Sequence, residues 1–543
     1  MRNAHIFWST RGKEYSIRTL LAVLAVALLI VPFATAWYRH LLGLQVTEQF
    51  ATAPAVLTGH QRANAEAVGD DLPDRTPPVV LSYHDIRPVT PTEKYPNPLT
   101  NPGYHYVVTP EAFDAQLTAL AAAGYKSLTS DQYVDYLSGG EVPDRSVLIT
   151  FDDGTHGLWT YADEILERHG MHGVAFLITG NVGAKRPYYL TWQEIDRLAA
   201  SGRWDFESHT RKMHARMPVN RSGELASEMV HRRWLFEFDR AETLDEFEQK
   251  IRMDLSASID DIVAHGLPRP RLFAFPFSEG YRDPEGGDPQ AAAVAAGVVK
   301  DMFACGFNNA PPQPLPAGAR AATVGMVGRI ELTQDSTVDE LLDKLHARTP
   351  VTPAQAPPSE RTDLWTLLDD SPAPVRAAGT DVTLLGGGTW EGIAYGRHAT
   401  ADWASYRSSV LIRGLAAAGV ENAALVTRIG TGSEVSAQVS SDRMRLTVGL
   451  GANPVVVGEL PLPPADVHTV GVTVSPTATD VIVDGEYALS VPSDGGTDAY
   501  GGIGLTSSRT ADSAPWPVFS GLTVSEAGPA PNVIAGVGVP LRG

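Results

Sequence analysis

The sequence has almost no cysteine: Cys305 is the only one among 543 residues. A single thiol excludes a disulfide scaffold, a cysteine-rich zinc site and a CxxC redox motif. Because Cys305 lies in the apolar run 302–307, we expect it to be a buried small hydrophobic residue.

Basic residues are also scarce. The 43 lysines and arginines are outnumbered by 63 aspartates and glutamates, which gives a formal net charge of −20. Such an acidic chain is not expected to bind nucleic acid through a broad basic face. It suits a neutral or cationic substrate. At roughly 100–200 residues per domain, the length predicts two to four domains.

One run without charged residues, 19–38, is long enough to cross a membrane, since as a helix it would reach about 30 Å. Basic residues precede it, so the positive-inside rule makes residues 1–18 a cytoplasmic tail and places the rest outside the cytoplasm. The alternatives are a cleaved signal peptide, with Ala34-Thr35-Ala36 as the cleavage site, and a buried core helix. Residues 39–76 lack strong periodicity and are predicted to form a stalk.

Residues 77–347 alternate short apolar runs with helical patterns, which predicts parallel strands joined by crossover helices. The expected fold is α/β, a distorted and incomplete (β/α) TIM-like barrel, in which chemistry lies at the carboxyl ends of the strands. Strands are predicted at 79–83, 146–151, 173–179, 204–208, 272–277, 302–307 and 324–330. Helices are predicted at 110–123, 158–169, 192–200, 223–240, 245–265 and 338–347.

The pattern changes after the barrel region. Residues 348–379 are rich in proline and are predicted to form a linker. Residues 380–528 contain short β-rich runs separated by turn residues, the pattern of an all-β jelly-roll sandwich, and residues 529–543 would be a tail. Three aromatic residues of the sandwich either stack on sugar rings or fill its core: Trp390, Trp403 and Tyr406.

Polar side chains follow several predicted barrel strands. Asp152 and Asp153 end one strand, and because neighbouring side chains point in different directions, one can bind a metal while the other acts as a base. A solvated turn is the alternative. His209 and His214, which follow another strand, would lie about 140° apart on a helix, so only a loop could bring them together as metal ligands. Surface histidines are the alternative.

His84 ends a further strand, and a Phe-Pro-Phe segment ends another. Together these segments supply one carboxylate and two imidazoles for a metal, with a spare carboxylate and a spare imidazole. A catalytic zinc site needs three protein ligands and an open position. A spare base and a spare acid can move the protons of a hydrolysis reaction. The residues therefore fit amide or ester hydrolysis.

These segments resemble the polysaccharide deacetylases, the NodB-homology proteins of carbohydrate esterase family four. The stretch 150–154 (Thr-Phe-Asp-Asp-Gly) is similar to their first motif, and Ser208-His209-Thr210 with His214 is similar to their second. The spacing of the two histidines, and Tyr83-His84-Asp85 ahead of the aspartate pair, resemble the poly-N-acetylglucosamine deacetylases. In that branch the barrel is circularly permuted. The C-terminal domain resembles concanavalin-like or laminin-G-like jelly rolls.

The resemblance implies a role for each site residue. The metal ligands would be Asp153, His209 and His214, the general base Asp152, the general acid His84, and an oxyanion-hole donor the backbone N–H of Phe277. Arg271 is the candidate for orienting the base. The strand containing Arg329-Ile330-Glu331 resembles the closing Arg-Ile-Pro strand of relatives, with glutamate in place of proline.

The function implied is that of a metal-dependent N-deacetylase acting on an extracellular or cell-wall N-acetylated polysaccharide. Poly-β-1,6-N-acetylglucosamine is the preferred substrate, and acetate would be released by attack of a metal-activated water. Peptidoglycan and O-acetyl polysaccharides stay open, as does a non-catalytic carbohydrate-binding surface protein. Zinc is the first choice of metal, with cobalt, nickel and iron as alternatives. The expected partners are the polysaccharide and the membrane, and the expected location is the cell membrane, or outside the cell after signal cleavage.

Overall fold

A computed structural model gives the fold. It describes residues 21–26, 28, 30–35, 37, 46–70, 76–89, 105–280, 287–309, 314–318, 320–355, 358–368, 373–416, 422–450, 454–496, 499–511 and 514–527. The tails predicted at 1–18 and 529–543 lie outside these ranges, as do parts of the predicted membrane segment 19–38. Among the described residues, no helix combines the length and the apolar character needed to cross a membrane.

The N-terminal half is built around a ring of parallel strands. The strands are β1 (Val79–Tyr83), β2 (Lys126–Ser127), β3 (Ser146–Phe151), β4 (Gly173–Leu177), β5 (Trp204–Ser208), β6 (Leu272–Ala274), β7 (Cys305–Asn309) and β8 (Met326–Glu331). Within the described residues, seven of them close in the order β1-β8-β7-β6-β5-β4-β3, because β1 pairs with both β8 and β3. The predicted TIM-like barrel of parallel strands is therefore confirmed, with seven strands in the closed ring.

Alternate residues of the strands face two different layers. Val80 and Leu148 belong to a cluster inside the barrel, whereas Leu81 and Ile149 pack outwards against the helices. This alternation places positions 150 and 152 of β3 and its following turn on the inner side, above the apolar floor. Cys305 lies in the inner cluster and is 1% exposed, so its predicted burial is confirmed.

Helices surround the barrel. They comprise Gly59–Asp70, Pro110–Ala122, Ser130–Leu137, Asp163–His169, Trp192–Ala200, Leu244–Ala264, Pro289–Met302, Ala321–Val324 and Val338–His346. Five begin after a threonine N-cap whose side chain accepts a backbone N–H, at Thr109, Thr129, Thr191, Thr243 and Thr337. The caps satisfy backbone donors that the first helical turn leaves free and so fix where each helix begins.

The stalk predicted at 39–76 is wrong where it is described. The helix Gly59–Asp70 packs on the barrel, with Ala65 completely buried in the outer core layer. Ahead of it, the backbone N–H of Ala55 donates to Asp114 Oδ2 at 2.5 Å. Asp114 is itself buried, so the segment is held by a carboxylate from a distant helix. Periodicity within the segment could not indicate this tertiary contact.

The helix predicted at 223–240 is also wrong. Short strands replace it, at Leu225–Ser227, Trp234–Leu235 and Arg240–Ala241. Glu228 accepts a hydrogen bond from Arg233 at 2.6 Å and also faces Lys250 of a neighbouring helix at 3.7 Å. These charged contacts hold an irregular hairpin in a segment whose local composition is compatible with a helix.

The C-terminal half is a sandwich of antiparallel sheets. Its strands are β9 (Trp365–Leu367), β10 (Val375–Ala378), β11 (Asp381–Leu384), β12 (Trp390–Tyr395), β13 (Tyr406–Arg413), β14 (Asn422–Thr427), β15 (Val435–Ser440), β16 (Arg443–Val448), β17 (Val455–Pro461), β18 (Val467–Ser475), β19 (Ala478–Val483), β20 (Tyr487–Pro492), β21 (Ile503–Ser508) and β22 (Val518–Glu526). In the described residues, one sheet has the order β9-β12-β21-β14-β15-β16-β17 and the other β10-β11-β22-β13-β18-β19-β20. The two sheets share one apolar core.

The linker predicted at 348–379 contributes to this sandwich. Its strand β9 pairs with β12, and its strand β10 pairs with β11. Val351 and Trp365 lie in the shared core. The high proline content correctly indicates turns in the segment, but the short strands between them find their partners only in the folded sandwich.

Candidate active site

The adjacent carboxylates Asp152 and Asp153 separate at the end of β3. Asp152 is 2% exposed and lies inside the barrel. Asp153 has a backbone φ of +70°, in the left-handed region, and Gly154 has the same value. This turn directs the second carboxylate away from the first, so the two side chains have different neighbours.

Asp153, His209 and His214 form a compact cluster. The ligand atoms of the three side chains all lie within 4.8 Å of one another. Oδ1 of Asp153 is 3.6 Å from Nε2 of His209 and 3.4 Å from Nε2 of His214. Two ligands of a tetrahedral ion, each about 2.1 Å from it, lie about 3.4 Å apart. Oδ1 of Asp153 is buried and has no hydrogen-bond partner among the described residues, so the cluster fits a divalent metal ion.

The loop between the two histidines brings them together. Thr210, directly after His209, has a φ of +73°, so the chain turns sharply there. Asp254, on the helix Leu244–Ala264, accepts the backbone N–H of Arg211 at 2.8 Å and of Lys212 at 2.9 Å. The carboxylate thereby holds the short loop in the shape that lets histidines five residues apart converge.

The ring of His209 is also held by a hydrogen bond from the nitrogen that does not face the cluster. Its Nδ1 lies 2.7 Å from the backbone oxygen of Ala274 in β6, which can only accept, so Nδ1 donates and Nε2 is left free to bind a metal. Burial lowers the pKa of His209 to about 4. The imidazole is therefore neutral at physiological pH, which is the form that binds metals.

Asp152 is held by Arg329. The guanidinium donates from Nη1 to Oδ1 at 2.7 Å and from Nη2 to Oδ2 at 2.6 Å, a bidentate pair that is almost completely buried. Burial opposes ionisation of Asp152, but the charge of Arg329 and its hydrogen bonds outweigh that effect and hold the pKa of Asp152 well below its ordinary value. Asp152 is therefore a carboxylate at neutral pH.

The prediction that Arg271 orients the base is wrong. Arg271 is exposed, and its side chain donates to Asp131 at 2.9 Å. Its backbone N–H donates to Glu207, at the amino-terminal side of β6 and away from the barrel mouth. The arginine that pairs with Asp152 is instead Arg329. The signal was present in the sequence, because an arginine inside the apolar strand Met326–Glu331 needs a buried carboxylate partner.

His84 lies on the other side of Asp152. Its Nε2 is 3.9 Å from Oδ2 of Asp152, too far for a direct hydrogen bond and close enough for both groups to reach one substrate. Its ring contacts that of Tyr106, with centroids 4.5 Å apart and the ring planes tilted by 37°. Tyr106 follows no predicted strand or motif, and sequence reasoning did not find it.

Phe277 lies beside the metal-ligand cluster. Its ring centroid is 4.6 Å from that of His214, and the guanidinium of Arg216 lies 4.6 Å from the same ring. The backbone of Phe277 has a φ of +58°, an uncommon conformation for a non-glycine residue that is often found at functional sites. The structure thus brings Phe277 to the site, while the oxyanion role of its N–H stays a prediction.

The aromatic residues proposed for the sandwich divide into two groups. Trp403 and Tyr406 are 5% and 0% exposed and lie in the shared core. Tyr406 donates its hydroxyl to the backbone oxygen of Gly501 at 3.0 Å. Of the two predicted alternatives, filling of the sandwich core is therefore confirmed for Trp403 and Tyr406, and stacking on sugar rings is wrong for both because they are buried. Trp390, at the start of β12, is 55% exposed.

Part of the chain is similar in sequence to known deacetylases. Residues 139–285 match the family model described as polysaccharide deacetylase. A poly-β-1,6-N-acetyl-D-glucosamine N-deacetylase of Staphylococcus epidermidis is 32% identical over 154 residues, which are 27% of this chain and 53% of the relative. One of the same name from Staphylococcus aureus is 30% identical over 202 residues, which are 34% of this chain and 66% of the relative. The chain thus spans less than two thirds of either relative.

Among solved structures, a de-N-acetylase from Aggregatibacter actinomycetemcomitans is 18% identical, with a TM-score of 0.40 over 48% of this chain and 97% of that one. The matched region 139–285 contains both aspartates of β3 and both histidines after β5. Residues 139–285 are therefore similar to the polysaccharide deacetylase family.

Proposed function

We propose that this protein is a metal-dependent N-deacetylase of an N-acetylated polysaccharide. One observation carries the proposal: the two adjacent aspartates of β3 are divided between two tasks. Asp153 faces two histidines in a cluster that fits a metal ion, and Asp152 is a buried carboxylate held beside that cluster by Arg329. This division supplies a metal ligand and a separate base within one turn of chain.

The side chains have complementary roles in this reaction. Asp153, His209 and His214 would hold a divalent ion, which when bound would lower the pKa of a water ligand and polarise the acetyl carbonyl. Asp152 would accept the proton of the attacking water at a carboxylate oxygen, and Arg329 keeps that carboxylate ionised and oriented. His84 would donate a proton to the departing amine.

The names of the relatives support the choice of substrate. Both staphylococcal proteins are called N-deacetylases of poly-β-1,6-N-acetyl-D-glucosamine. We propose this polymer as the substrate, with the amide of each N-acetyl group as the bond that is hydrolysed. The acidic net charge of −20 is compatible with a polymer that becomes cationic as its acetyl groups are removed.

Acetate release tests the proposal. The full chain is incubated with a β-1,6-linked N-acetylglucosamine oligomer, before and after dialysis against a chelator, and acetate is measured. We expect release that is lost after chelation and restored by a divalent ion, with zinc tested first and cobalt, nickel and iron in parallel. Acetate release that chelation does not change would contradict the metal site, and its absence with every metal and every acetylated glycan would contradict the enzyme.

We further propose that the barrel acts outside the cytoplasm and is held there by residues 19–38. The uncharged run supports this, as do exposed apolar side chains in its described helical residues, including Leu28 at 70% and Phe33 at 75%. Fractionation of expressing cells should place the protein in the membrane fraction. A mature N-terminus directly after Ala36 would instead show that the segment is a cleaved signal.

Trp390 is the residue through which the sandwich would bind carbohydrate. Its indole is exposed and comes shortly after a run of three glycines, 386–388. Sugar rings stack on such accessible aromatic faces. In a glycan pull-down with the full chain, Trp390→Ala should reduce retention on the polymer. Unchanged retention would assign polymer binding to the barrel alone.

A further inference from the structure

Glu331 is the last residue of β8 and lies at the mouth of the barrel. It follows Arg329 by two positions, so the two side chains project from the same face of the strand. Asn309, paired in register with Arg329, connects them. Its Oδ1 accepts from Nε of Arg329 at 2.7 Å, and its Nδ2 donates to Oε1 of Glu331 at 2.7 Å.

Among the described residues at the mouth, Glu331 differs from Asp152 and Glu279 because it forms no ion pair. Asp152 is paired with Arg329, and Glu279 is paired with Arg216 at 2.9 Å. For Glu331, the described residues provide the hydrogen bond from Asn309 and no ion pair. One carboxylate oxygen is therefore fixed, and no lysine or arginine among the described residues forms an ion pair with the group.

This charge faces the same space as the reacting groups. The ring of Tyr106 contacts that of His84. The pKa of Tyr106 is raised first by burial and then by the negative charges of Glu331 and Asp153, against a smaller lowering by Arg216. Glu331 therefore lies near enough to act electrostatically on a side chain that contacts the proposed acid. Its half-buried position limits screening by water and salt.

The proposed reaction itself generates the ligand that such a carboxylate would bind. Each N-acetyl group that is hydrolysed leaves a primary amine on the sugar, and the protonated amine is a cation. A polymer that has been partly deacetylated carries ammonium groups on sugars next to those still acetylated. A half-buried carboxylate that forms no ion pair with the described residues attracts such a group in preference to a neutral amide.

We propose that Glu331 binds the free ammonium group of a sugar next to the acetylated sugar under attack, so that the enzyme prefers partly deacetylated chains. The inference rests on the proposed deacetylase function and adds a preference among its substrates. It predicts that hydrolysis proceeds faster on chains that have already lost acetyl groups than on fully acetylated chains.

The test compares two β-1,6-linked tetramers, one fully N-acetylated and one with a single free amine on an internal sugar. For each, kcat/KM is measured by acetate release and expressed per remaining acetyl group. We expect the wild type to prefer the mixed tetramer by roughly two- to fivefold, the upper part of the range of a partly screened ion pair. The preference should fall as salt is raised.

Glu331→Gln is the decisive variant, since glutamine retains an oxygen that can accept from Asn309. The ratio of kcat/KM for the mixed and acetylated tetramers should fall to about one. Glu248→Gln is the matched control, because it makes the same change at a residue bonded to Arg252 on the outer helix Leu244–Ala264. It should leave the ratio at the wild-type value.

Two results would overturn the inference while leaving the deacetylase proposal intact. The first is acetate release by the wild type without preference for the mixed tetramer. The second is an equal loss on both tetramers in Glu331→Gln, which would show that Glu331 acts only by positioning Asn309 and Arg329. Failure to release acetate from either tetramer, or from any acetylated glycan, would instead overturn the function on which the inference depends.

Discussion

The barrel mouth and the sandwich core both contain buried polar and aromatic side chains. Asp153 and His84 at the mouth differ in their hydrogen bonding from Trp403 and Tyr406 in the sandwich. In the sandwich, Trp403 donates Nε1–H to the backbone oxygen of Val351 at 2.5 Å, and the Tyr406 hydroxyl donates to backbone oxygen. At the barrel mouth, Oδ1 of Asp153 and Nδ1 of His84 are buried without a hydrogen-bond partner among the described residues. The hydrogen bonds of Trp403 and Tyr406 stabilise the sandwich, whereas the two unpaired atoms at the barrel mouth lie beside Asp152 and the metal-ligand cluster, where a ligand would bind.

The largest effect should come from removing the base. Asp152→Asn should lower kcat for acetate release by about 10²- to 10⁴-fold, because no carboxylate remains to accept a proton. Metal affinity, measured by calorimetry, should be retained because Asp152 lies outside the cluster. Asp153→Asn is the matched change one residue away and should lose metal instead. Full activity in Asp152→Asn would show that the two aspartates are not divided as the structure indicates.

The two arginines provide the next comparison. Arg329→Ala should lower the free energy of unfolding by about 3–5 kcal/mol, because it leaves the buried carboxylate of Asp152 without its partner. Arg271→Ala, on the exposed surface, should change it by no more than about 0.5 kcal/mol. Denaturant titration of both variants gives the two values. Equal effects would remove the distinction between the buried and exposed arginine.

The sandwich offers a similar contrast between two tryptophans. Trp403→Ala should cost about 3–5 kcal/mol of stability because it opens a cavity in the shared core. Trp390→Ala removes an exposed ring and should cost far less. Thermal unfolding followed by circular dichroism measures both. A larger loss from Trp390→Ala would mean that its ring packs against the sandwich more than its exposure indicates.

A smaller effect is expected from the residue that shapes the histidine loop. Asp254→Asn should weaken metal binding by about 10- to 100-fold, the range found when groups supporting a metal ligand are replaced. Asp260→Asn is the control, because Asp260 is an exposed aspartate on the same helix. Cobalt absorption spectra should also change in Asp254→Asn if the two histidines no longer converge. Equal metal affinity in the two variants would contradict the positioning role of Asp254.

Local patterns in the sequence predicted much of the barrel. Strands such as Ser146–Phe151 and Trp204–Ser208 have the predicted bounds, since short apolar runs between turn residues are characteristic of strands buried on both sides. The two aspartates and two histidines could be found because each follows such a strand. Asp254, Tyr106 and the partner of Asp152 could not be found in the same way, because each contact joins residues far apart in the chain.

The sequence by itself determined which residue types carry the chemistry and that they lie at strand ends, because hydrophobic periodicity and turn residues act over a few positions. Tertiary structure decided which of two arginines meets the base, which aromatic rings are buried, and that residues 46–70 pack on the barrel. These outcomes depend on the closure of the barrel and the pairing of the sheets. Only closure brings β8 next to β1 and so places Arg329 opposite Asp152.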